Sequence, residues 1–497
     1  MVTKTVRRMM TLTLILLLAT VVLVNKEVAA ESPTVDCDAQ PWVVGDETAL
    51  NEAIACYNAK TMAGSYVIDL VTDVALTMST TPINNPAPDI TLTINGGDHM
   101  VDGQGINGVQ PLRIESDTTV TISHITITGG NVIADNGGAI FNDGTLNLQS
   151  STISGNSVTG EGGGIFTFGS LNVENSLISD NLAGNVGGGI SSRGVTTITD
   201  STISGNVADS VGGVLGSATI TNSIISNNSA VDGSGGGLAG SGLTIVDSRI
   251  SGNSASEGGG GFYFISFDVG ITIRNSLISE NTANLGGGIY IEYFLPESGA
   301  KKPQVVVIVE NSTISGNTAT IGGGIHSSGN IAVESSTLSN NSADSAGGIY
   351  LLSQMTLQNS IVANSVSGGD CVVDGGSFID EGHNLIEDGS CITAASSIAG
   401  DPVLGPLADN GGPTHTHALL DGSPAHNAGE TDLTADQRGL ARPQGSADDM
   451  GAYEYGEVTA LTLGAISSVP SHGESWWLLA AALGVFASMA WRRQVRR

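Results

Sequence analysis

Three histidines near the C-terminal end have the residue type and spacing for metal chemistry. His415 and His417 lie two positions apart, and His426 follows nearby. In an extended segment, residues i and i+2 point to one side, so such a pair could ligate a metal ion. Because no acidic or cysteine partner follows at ligand spacing, we predict that these histidines form hydrogen bonds within the fold, and we predict no metal site.

Polysaccharide cleavage is the second kind of chemistry that we looked for in the sequence. Hydrolysis of a glycosidic bond needs two carboxylates at a defined separation. A lyase needs a base, commonly Arg or Lys, beside carboxylates that hold calcium. The arginines Arg113, Arg193, Arg249 and Arg274 stand isolated, and no close Asp pair accompanies a Gly-His-Gly. We therefore predict no catalytic residue and no cofactor. Two alternatives stay open. Carboxylates from successive repeats could stack into a catalytic site, or calcium could stabilise the fold.

Both ends of the chain indicate export and anchoring. Residues 1–30 contain basic residues, then an apolar run and a small-residue site, which is the pattern of a secretory signal peptide; an uncleaved anchor is the alternative. Residues 476–491 form an apolar run between tryptophans, and the basic residues 492–497 follow it. This pattern predicts a transmembrane helix with a cytoplasmic tail. We expect the body of the protein at the cell surface, in the cell envelope.

Export places the four cysteines in an oxidising compartment, where an even number predicts two disulfides. They are Cys37, Cys56, Cys371 and Cys391. Three pairings are open, and proximity in sequence favours Cys37 with Cys56 and Cys371 with Cys391. A metal site is the weaker reading, since no Cys-x-x-Cys is present.

The net charge of -31 excludes one class of partner. Eight of the 17 basic residues lie in the two end segments, so the body is strongly acidic. Such a surface repels phosphate backbones, and we predict no nucleic-acid binding. The aromatic content of 4% argues against a long groove that stacks on sugars.

A two-part repeat of about 25 residues organises most of the chain. Each copy contains Ser-x-Ile-Ser-x-Asn and then a glycine run closed by one apolar residue. A fixed short period indicates a solenoid of stacked units. The repeat asparagines are Asn156, Asn181, Asn206, Asn227, Asn253, Asn281, Asn317 and Asn340 or Asn341.

Each repeat contains three short stretches with inward apolar positions, which predicts three strands per turn. We therefore predict an all-β fold, a right-handed parallel β-helix that is single-stranded and has three sheets. Stacked asparagines would form a ladder at one bend, and the glycines would permit positive φ at others. The leucine spacing of a leucine-rich horseshoe is absent.

The segments around the repeats are assigned as follows. Residues 31–64 are predicted to cap the solenoid through a short helix near Asp46–Ile54, and the repeats fill residues 65–400. Between Asn281 and Asn317 the spacing lengthens, so an insertion must leave the coil as a loop. Its Tyr293, Phe294, Lys301 and Lys302 form a candidate interaction loop, with a neutral insertion as the alternative.

The motifs resemble two groups of exported bacterial proteins. Gly137-Gly138-Ala139-Ile140 together with Ser-x-Ile-Ser-x-Asn resembles the repeats of polymorphic outer-membrane proteins and of pectin-lyase-like β-helices. Residues 401–456 are similar to a choice-of-anchor module, which implies a C-terminal domain after the β-helix. The matching motifs are Asp409-Asn410-Gly411-Gly412-Pro413-Thr414, Asp436-Gln437-Arg438-Gly439 and Gly451-Ala452-Tyr453-Glu454.

Two expectations concern this module and the tail that follows it. Asp436, Arg438 and Arg442 should form buried polar pairs that fasten the module onto the last coil. Residues 457–475 would form a linker to the helix at 476–491, and this tail resembles sorting signals that a dedicated enzyme cuts and transfers.

These observations predict an exported, membrane-anchored β-helix protein of the cell surface, adhesive or structural and without catalysis. Its partners would be surface glycans or other envelope or host proteins. The alternative is a surface polysaccharide lyase or glycoside hydrolase of the pectin-lyase fold.

Overall fold

The computed structural model describes residues 35–265, 270–292 and 306–456. The described residues belong to one compact unit that ends at Gly456. The predicted signal peptide, linker, transmembrane helix and basic tail lie outside the described residues, as do Tyr293, Phe294, Lys301 and Lys302. Among the residues that are described, no helix has both the length and the apolar character needed to cross a membrane.

The predicted parallel β-helix is confirmed. The chain forms a right-handed solenoid of about 13 turns, in which each strand pairs in parallel with the equivalent strands of the turns above and below. Sheet 1 is formed by the alternating stretches of the repeats. Its fourteen strands are Trp42–Val44, Gly64–Leu70, Ile90–Asn95, Thr119–Ser123, Thr145–Gln149, Ser170–Glu174, Thr196–Thr199, Ala218–Thr221, Thr244–Val246, Ile271–Arg274, Val306–Glu310, Asn330–Glu334, Gln354–Gln358 and Ser377–Gly382.

Sheets 2 and 3 contain the other two predicted strands of each turn. Sheet 2 holds the Ser-x-Ile-Ser elements, in the strands Val74–Ala75, Met100–Asp102, Thr126–Thr128, Thr152–Ser154, Leu177–Ser179, Thr202–Ser204, Ile224–Ser226, Arg249–Ser251, Leu277–Ser279, Thr313–Ser315, Thr337–Ser339, Ile361–Ala363 and Leu385–Ile386. Sheet 3 follows the glycine runs, in the strands Leu112–Ile114, Ile140–Asn142, Ile165–Thr167, Ile190–Ser192, Val214–Leu215, Leu238–Gly240, Phe262–Ile265, Ile289–Glu292, Ile325–Ser327, Ile349–Leu351 and Cys371–Val373.

The described residues also form a short fourth sheet, where three had been predicted. It arises because the chain stays extended after the bend in six successive turns, long enough to pair between coils; a repeat asparagine precedes the strand in five of them and Gly130 in the first. Its strands are Asn131–Val132, Ser157–Val158, Leu182–Val186, Val207–Ser210, Ser229–Ala230 and Ser254–Ala255.

The core is a stack of identical positions. The isoleucine at the third position of Ser-x-Ile-Ser points inward and is fully buried, as Ile153, Ile178 and Ile203 show. Each side chain therefore packs on its equivalent in the next turn, which repeats the same apolar contact along the whole solenoid.

The predicted asparagine ladder runs from Asn156 to Asn341 without a break. Its members bond in sequence through Asn156, Asn181, Asn206, Asn228, Asn253, Asn281, Asn317 and Asn341. The assignment of Asn227 was wrong, since Asn227 is exposed at φ 56° and Asn228 occupies the ladder. The motif Ser223-Ile224-Ile225-Ser226-Asn227-Asn228 itself ends at Asn228, in a turn shortened to 22 residues.

A second ladder, of serines, lies at the preceding bend and was not predicted. The Ser151 backbone N–H donates to Ser176 Oγ at 3.1 Å, and that hydroxyl donates to the Glu174 carbonyl oxygen at 2.8 Å. The pattern repeats at every turn from Ser151 to Ser360. It satisfies a buried backbone donor at a position where the chain leaves the sheet.

The bends require backbone conformations that the repeat residues tolerate. The residue three positions before the closing apolar residue has positive φ and is glycine in most turns, with Val211 and Ala346 as exceptions. At Gly162 (φ 70°) a Cβ would lie 2.4 Å from the Ile165 carbonyl oxygen. Asn and Asp occupy the bend between sheets 1 and 2, for example Asn175 at φ 49° and Asp200 at φ 50°. Both residue types adopt this left-handed region at low cost.

The N-terminal cap contains the predicted helix, which extends over Glu47–Asn58. Asp46 caps it by accepting a hydrogen bond from the Ala49 N–H at 2.8 Å. Disulfides join Cys37 to Cys56 and Cys371 to Cys391, with Cα–Cα distances of 5.2 and 6.1 Å. These are the two pairs that proximity in sequence favours.

Candidate binding faces

The C-terminal module lies along the outer side of sheet 2. It contains an antiparallel hairpin of Leu404–Ala408 and Thr416–Leu419. Thr414 Oγ1 donates to the Asn275 carbonyl oxygen at 2.9 Å, and the Gly451 N–H donates to the Asn359 carbonyl oxygen at 2.7 Å. The expected position on the last coil was therefore wrong, because the chain reverses and covers four turns from the side.

The charged residues expected to fasten this module do form buried pairs. Arg438 Nη2 lies 2.7 Å from Asp436 Oδ2, and Arg442 Nη1 lies 3.1 Å from Glu454 Oε2. All four side chains are buried. Burial lowers the pKa of Arg442 and raises that of Glu454. Such pairs fix one packing arrangement of an otherwise irregular segment.

The three histidines do not converge on one point. His417 is buried, with Nε2 2.9 Å from Ser315 Oγ and Nδ1 2.8 Å from the Gly405 carbonyl oxygen. Burial lowers the pKa of His417. The ring of His426 contacts Tyr455, and His415 lines a different cleft. Within residues 35–265, 270–292 and 306–456, no three His, Cys, Asp or Glu residues are grouped to hold a metal ion.

Most of the arginines that sequence left isolated are paired across turns. Arg193 Nη2 lies 2.7 Å from Glu161 Oε1, and Arg274 pairs with Glu310. Arg113 contacts Asp135 and lies over a phenylalanine ring. These exposed pairs neutralise carboxylates between coils, and each contributes little to stability.

Sheet 3 carries a column of stacked rings that the sequence analysis missed. Tyr263, Tyr290, His326 and Tyr350 pair in register, and successive ring centroids lie 5.2 or 5.3 Å apart. Burial lowers the pKa of His326 to about 4 and raises that of Tyr290 to about 12. The rings of Tyr263 and Tyr290 are stacked, as are those of His326 and Tyr350, whereas His326 meets Tyr290 edge-on, and these contacts stabilise the column.

The signal for this column was present in the sequence. Each ring residue directly follows the apolar residue that closes a glycine run, at Phe262, Ile289, Ile325 and Ile349. The prediction used only the total aromatic content, which is low, and did not compare the register positions of the rings.

Sheet 1 presents an open face, which we name the threonine face. It consists of the outward residues of the seven strands from Ile90–Asn95 to Thr244–Val246. Its members are Thr91, Thr93, Asn95, Thr119, Thr121, Ser123, Thr145, Asn147, Gln149, Ser170, Asn172, Glu174, Thr197, Thr199, Thr219, Thr221, Thr244 and Val246. Every one of them is at least partly exposed to solvent.

The threonine face is nearly free of charge, in a chain that has 48 acidic residues. Glu174 is its single charged member. Further along the same sheet the outward positions change character, to Arg274, Ile308, Glu310 and Glu334. The neutral face is therefore a property of this part of the solenoid and not of sheet 1 as a whole.

The part of sheet 2 that the module leaves open is a second candidate face. Its outward column contains Leu177 and Ile224, which are 36% and 42% exposed, whereas Leu277 under the module is buried. At the tip of the module, Arg249 and His415 line a cleft of about 230 Å³. This face is shorter than the threonine face, and its outward residues mix apolar and charged side chains.

One stretch of the repeats matches the model of a known protein family. The family model described as "Chlamydia polymorphic membrane protein (Chlamydia_PMP) repeat" matches residues 150–167, which span one copy of the repeat. No curated protein matches the chain in sequence. Among solved structures, the chain is similar to one titled "Crystal structure of pectate lyase Pel9A", with 16% identity and a TM-score of 0.35 over 80% of this chain and 90% of that chain.

The protein is a parallel β-helix, and one stretch of its repeats, residues 150–167, is similar to the polymorphic membrane protein repeat.

Proposed function

We propose that this chain is an exported, membrane-anchored cell-surface protein whose β-helix is a rigid stalk with an adhesive side face. It has no catalytic role in this proposal and no bound cofactor. The observation that carries the proposal is the neutral, solvent-open threonine face on a rod that is otherwise strongly acidic.

Rigidity supports the role of a stalk. Each ladder asparagine uses its backbone N–H and its side-chain amide to bond the next turn, so neighbouring coils are fixed in register. A face built on such a scaffold keeps its groups in place before a ligand arrives, which lowers the entropic cost of binding.

The distribution of charge supports the threonine face as the adhesive face. A surface with a net charge of -31 repels the acidic polymers that are common on cell surfaces. The threonine face can approach a neutral partner without desolvating charges, because its hydroxyl and amide groups both donate and accept hydrogen bonds. Neutral surface glycans and uncharged patches of envelope or host proteins fit this chemistry.

Localisation is tested with the full chain expressed in a bacterial host. We expect protease added to intact cells to digest the body, and we expect alkaline extraction to leave the protein in the membrane. A variant that stops after Gly456 should be released. A full-length chain that stays inside protease-treated cells, or that washes off membranes, would contradict the proposal.

Catalysis is tested separately on the same preparation. We expect incubation with uronate and neutral polysaccharides to give no new reducing ends and no unsaturated products, with or without calcium. We also expect a chelator to leave the melting temperature unchanged. Cleavage products would favour the polysaccharide lyase or hydrolase instead.

A further inference from the structure

The threonine face is regular in two dimensions. Its central column pairs Thr93, Thr121, Asn147, Asn172, Thr197, Thr219 and Thr244 directly across turns, with no register shift between them. Turns are about 4.8 Å apart, and outward residues i and i+2 on one strand are about 6.6 Å apart. The face therefore repeats short neutral hydrogen-bonding groups on a rectangular grid, with threonine at five of the seven positions of the central column.

At one end of the central column the groups are both free and rigid. Further along it, Asn147 Nδ2 donates to Thr121 Oγ1 at 3.5 Å and Asn172 Nδ2 donates to Asn147 Oδ1 at 2.8 Å. The hydroxyls of Thr197, Thr219 and Thr244 have no hydrogen-bond partner among the described residues. Threonine is β-branched and restricted at χ1, so little side-chain entropy is lost when its hydroxyl is engaged. A lysine or glutamate side chain at the same positions would lose more conformational entropy on binding a ligand.

The geometry of the grid restricts the kind of ligand that could contact all of its groups at once. Such a ligand must be uncharged, must offer donors and acceptors at every grid point, and must repeat in two directions. A single polysaccharide chain repeats in one direction only, and the threonine face holds no aromatic ring for a sugar to stack on. A crystal of water meets every condition.

We propose that the threonine face binds the surface of ice. The grid would order water molecules in its troughs, and the ordered layer would merge with the crystal. Each contact is weak, but simultaneous engagement of many rigid groups makes attachment firm. This inference rests on the proposed function, because it names the ligand of the same adhesive face.

The test uses the full chain in detergent and on displaying cells. We expect the purified protein to shape growing ice crystals, to slow ice recrystallisation at micromolar concentration, and to enter a growing ice hemisphere. Thr197→Lys combined with Thr219→Lys should reduce recrystallisation inhibition at least tenfold, because two long charged side chains break the grid at its centre.

Ala332→Lys is the matched control. It lies on the outward face of the same sheet, beyond the threonine face, and should keep full activity. Melting temperatures within a few degrees would show that all three proteins are folded. Exclusion of the wild type from ice, or equal activity of the double variant and the wild type, would overturn the inference.

The same experiment separates this inference from the proposed function. Retention of displaying cells on a neutral glycan or a host-cell surface, together with exclusion from ice, would refute ice as the ligand and leave the adhesive role intact. Binding to crystalline polysaccharide in place of ice would do the same. Failure on every surface would refute both.

Discussion

Asn181 Oδ1 accepts two hydrogen bonds from Asn156, one from its backbone N–H and one from its side-chain amide, both at 3.0 Å. The same amide of Asn156 also donates to the Ile127 carbonyl oxygen at 3.1 Å. One buried side chain thus connects three consecutive turns. Repetition of this relationship holds the solenoid in register and keeps its side faces regular.

Replacing a central ladder residue should destabilise the protein strongly. Asn206→Ala removes the acceptor for Asn181 and leaves buried backbone groups of the neighbouring turns unpaired. Unsatisfied buried groups cost about 1–3 kcal/mol each, so we expect a loss of about 2–4 kcal/mol in the free energy of unfolding. Urea denaturation followed by circular dichroism measures it.

Asn227→Gly is the control for this substitution. Asn227 is exposed, has φ 56° and lies next to ladder residue Asn228, so glycine should change stability by less than about 0.5 kcal/mol. Equal losses in the two variants would contradict the assignment of the ladder register.

The ring column should make stability depend on pH. Burial lowers the pKa of His326 from 6.5 to about 4, so the unfolded chain binds a proton more readily than the folded one. The stabilisation is complete above pH 6.5 and is lost as the pH falls towards 4. We expect the wild type to lose about 3 kcal/mol more than His326→Phe between pH 7 and pH 4.

Comparing the two proteins cancels the titration of the carboxylates, which they share. Phenylalanine keeps the stack between Tyr290 and Tyr350 and removes His326 Nδ1, a buried nitrogen with no hydrogen-bond partner among the described residues. Parallel loss of stability in wild type and variant would show that His326 does not titrate in this range.

Breaking a buried pair of the module should be costly. Arg442→Met leaves the Glu454 carboxylate buried without its cation, and we expect a loss of about 3–5 kcal/mol in the free energy of unfolding. Arg193→Ala removes an exposed pair with Glu161 and should cost less than about 1 kcal/mol. Similar effects of the two substitutions, compared by urea denaturation, would refute the role of the Arg442 pair in fixing the module.

The fold could be predicted because each turn is encoded locally. One repeat supplies one coil, and its inward isoleucine, bend asparagine and glycine run are all read within 25 residues. The adjacent pair Asn227 and Asn228 was nevertheless assigned wrongly, although the motif itself ends at Asn228 and its third position, Ile225, is the buried one.

The candidate faces were harder to predict, because they depend on relations between turns. The threonine face becomes a surface only when residues such as Thr121 and Asn147, 26 positions apart, are placed side by side. The docking of the module depends on contacts such as Thr414 with Asn275, which are 139 residues apart and leave no local signal. The disulfides and the helix cap were predicted because their partners are near in sequence.

The central claim is that the threonine face is the adhesive face, and retention of displaying cells under flow tests it most directly. On any surface that retains cells with the wild-type chain, we predict that Thr197→Glu, Thr219→Glu and Thr244→Glu together reduce retention at least tenfold, while Ala332→Glu leaves it unchanged. Undiminished retention of the triple variant, at equal surface density, would contradict the claim.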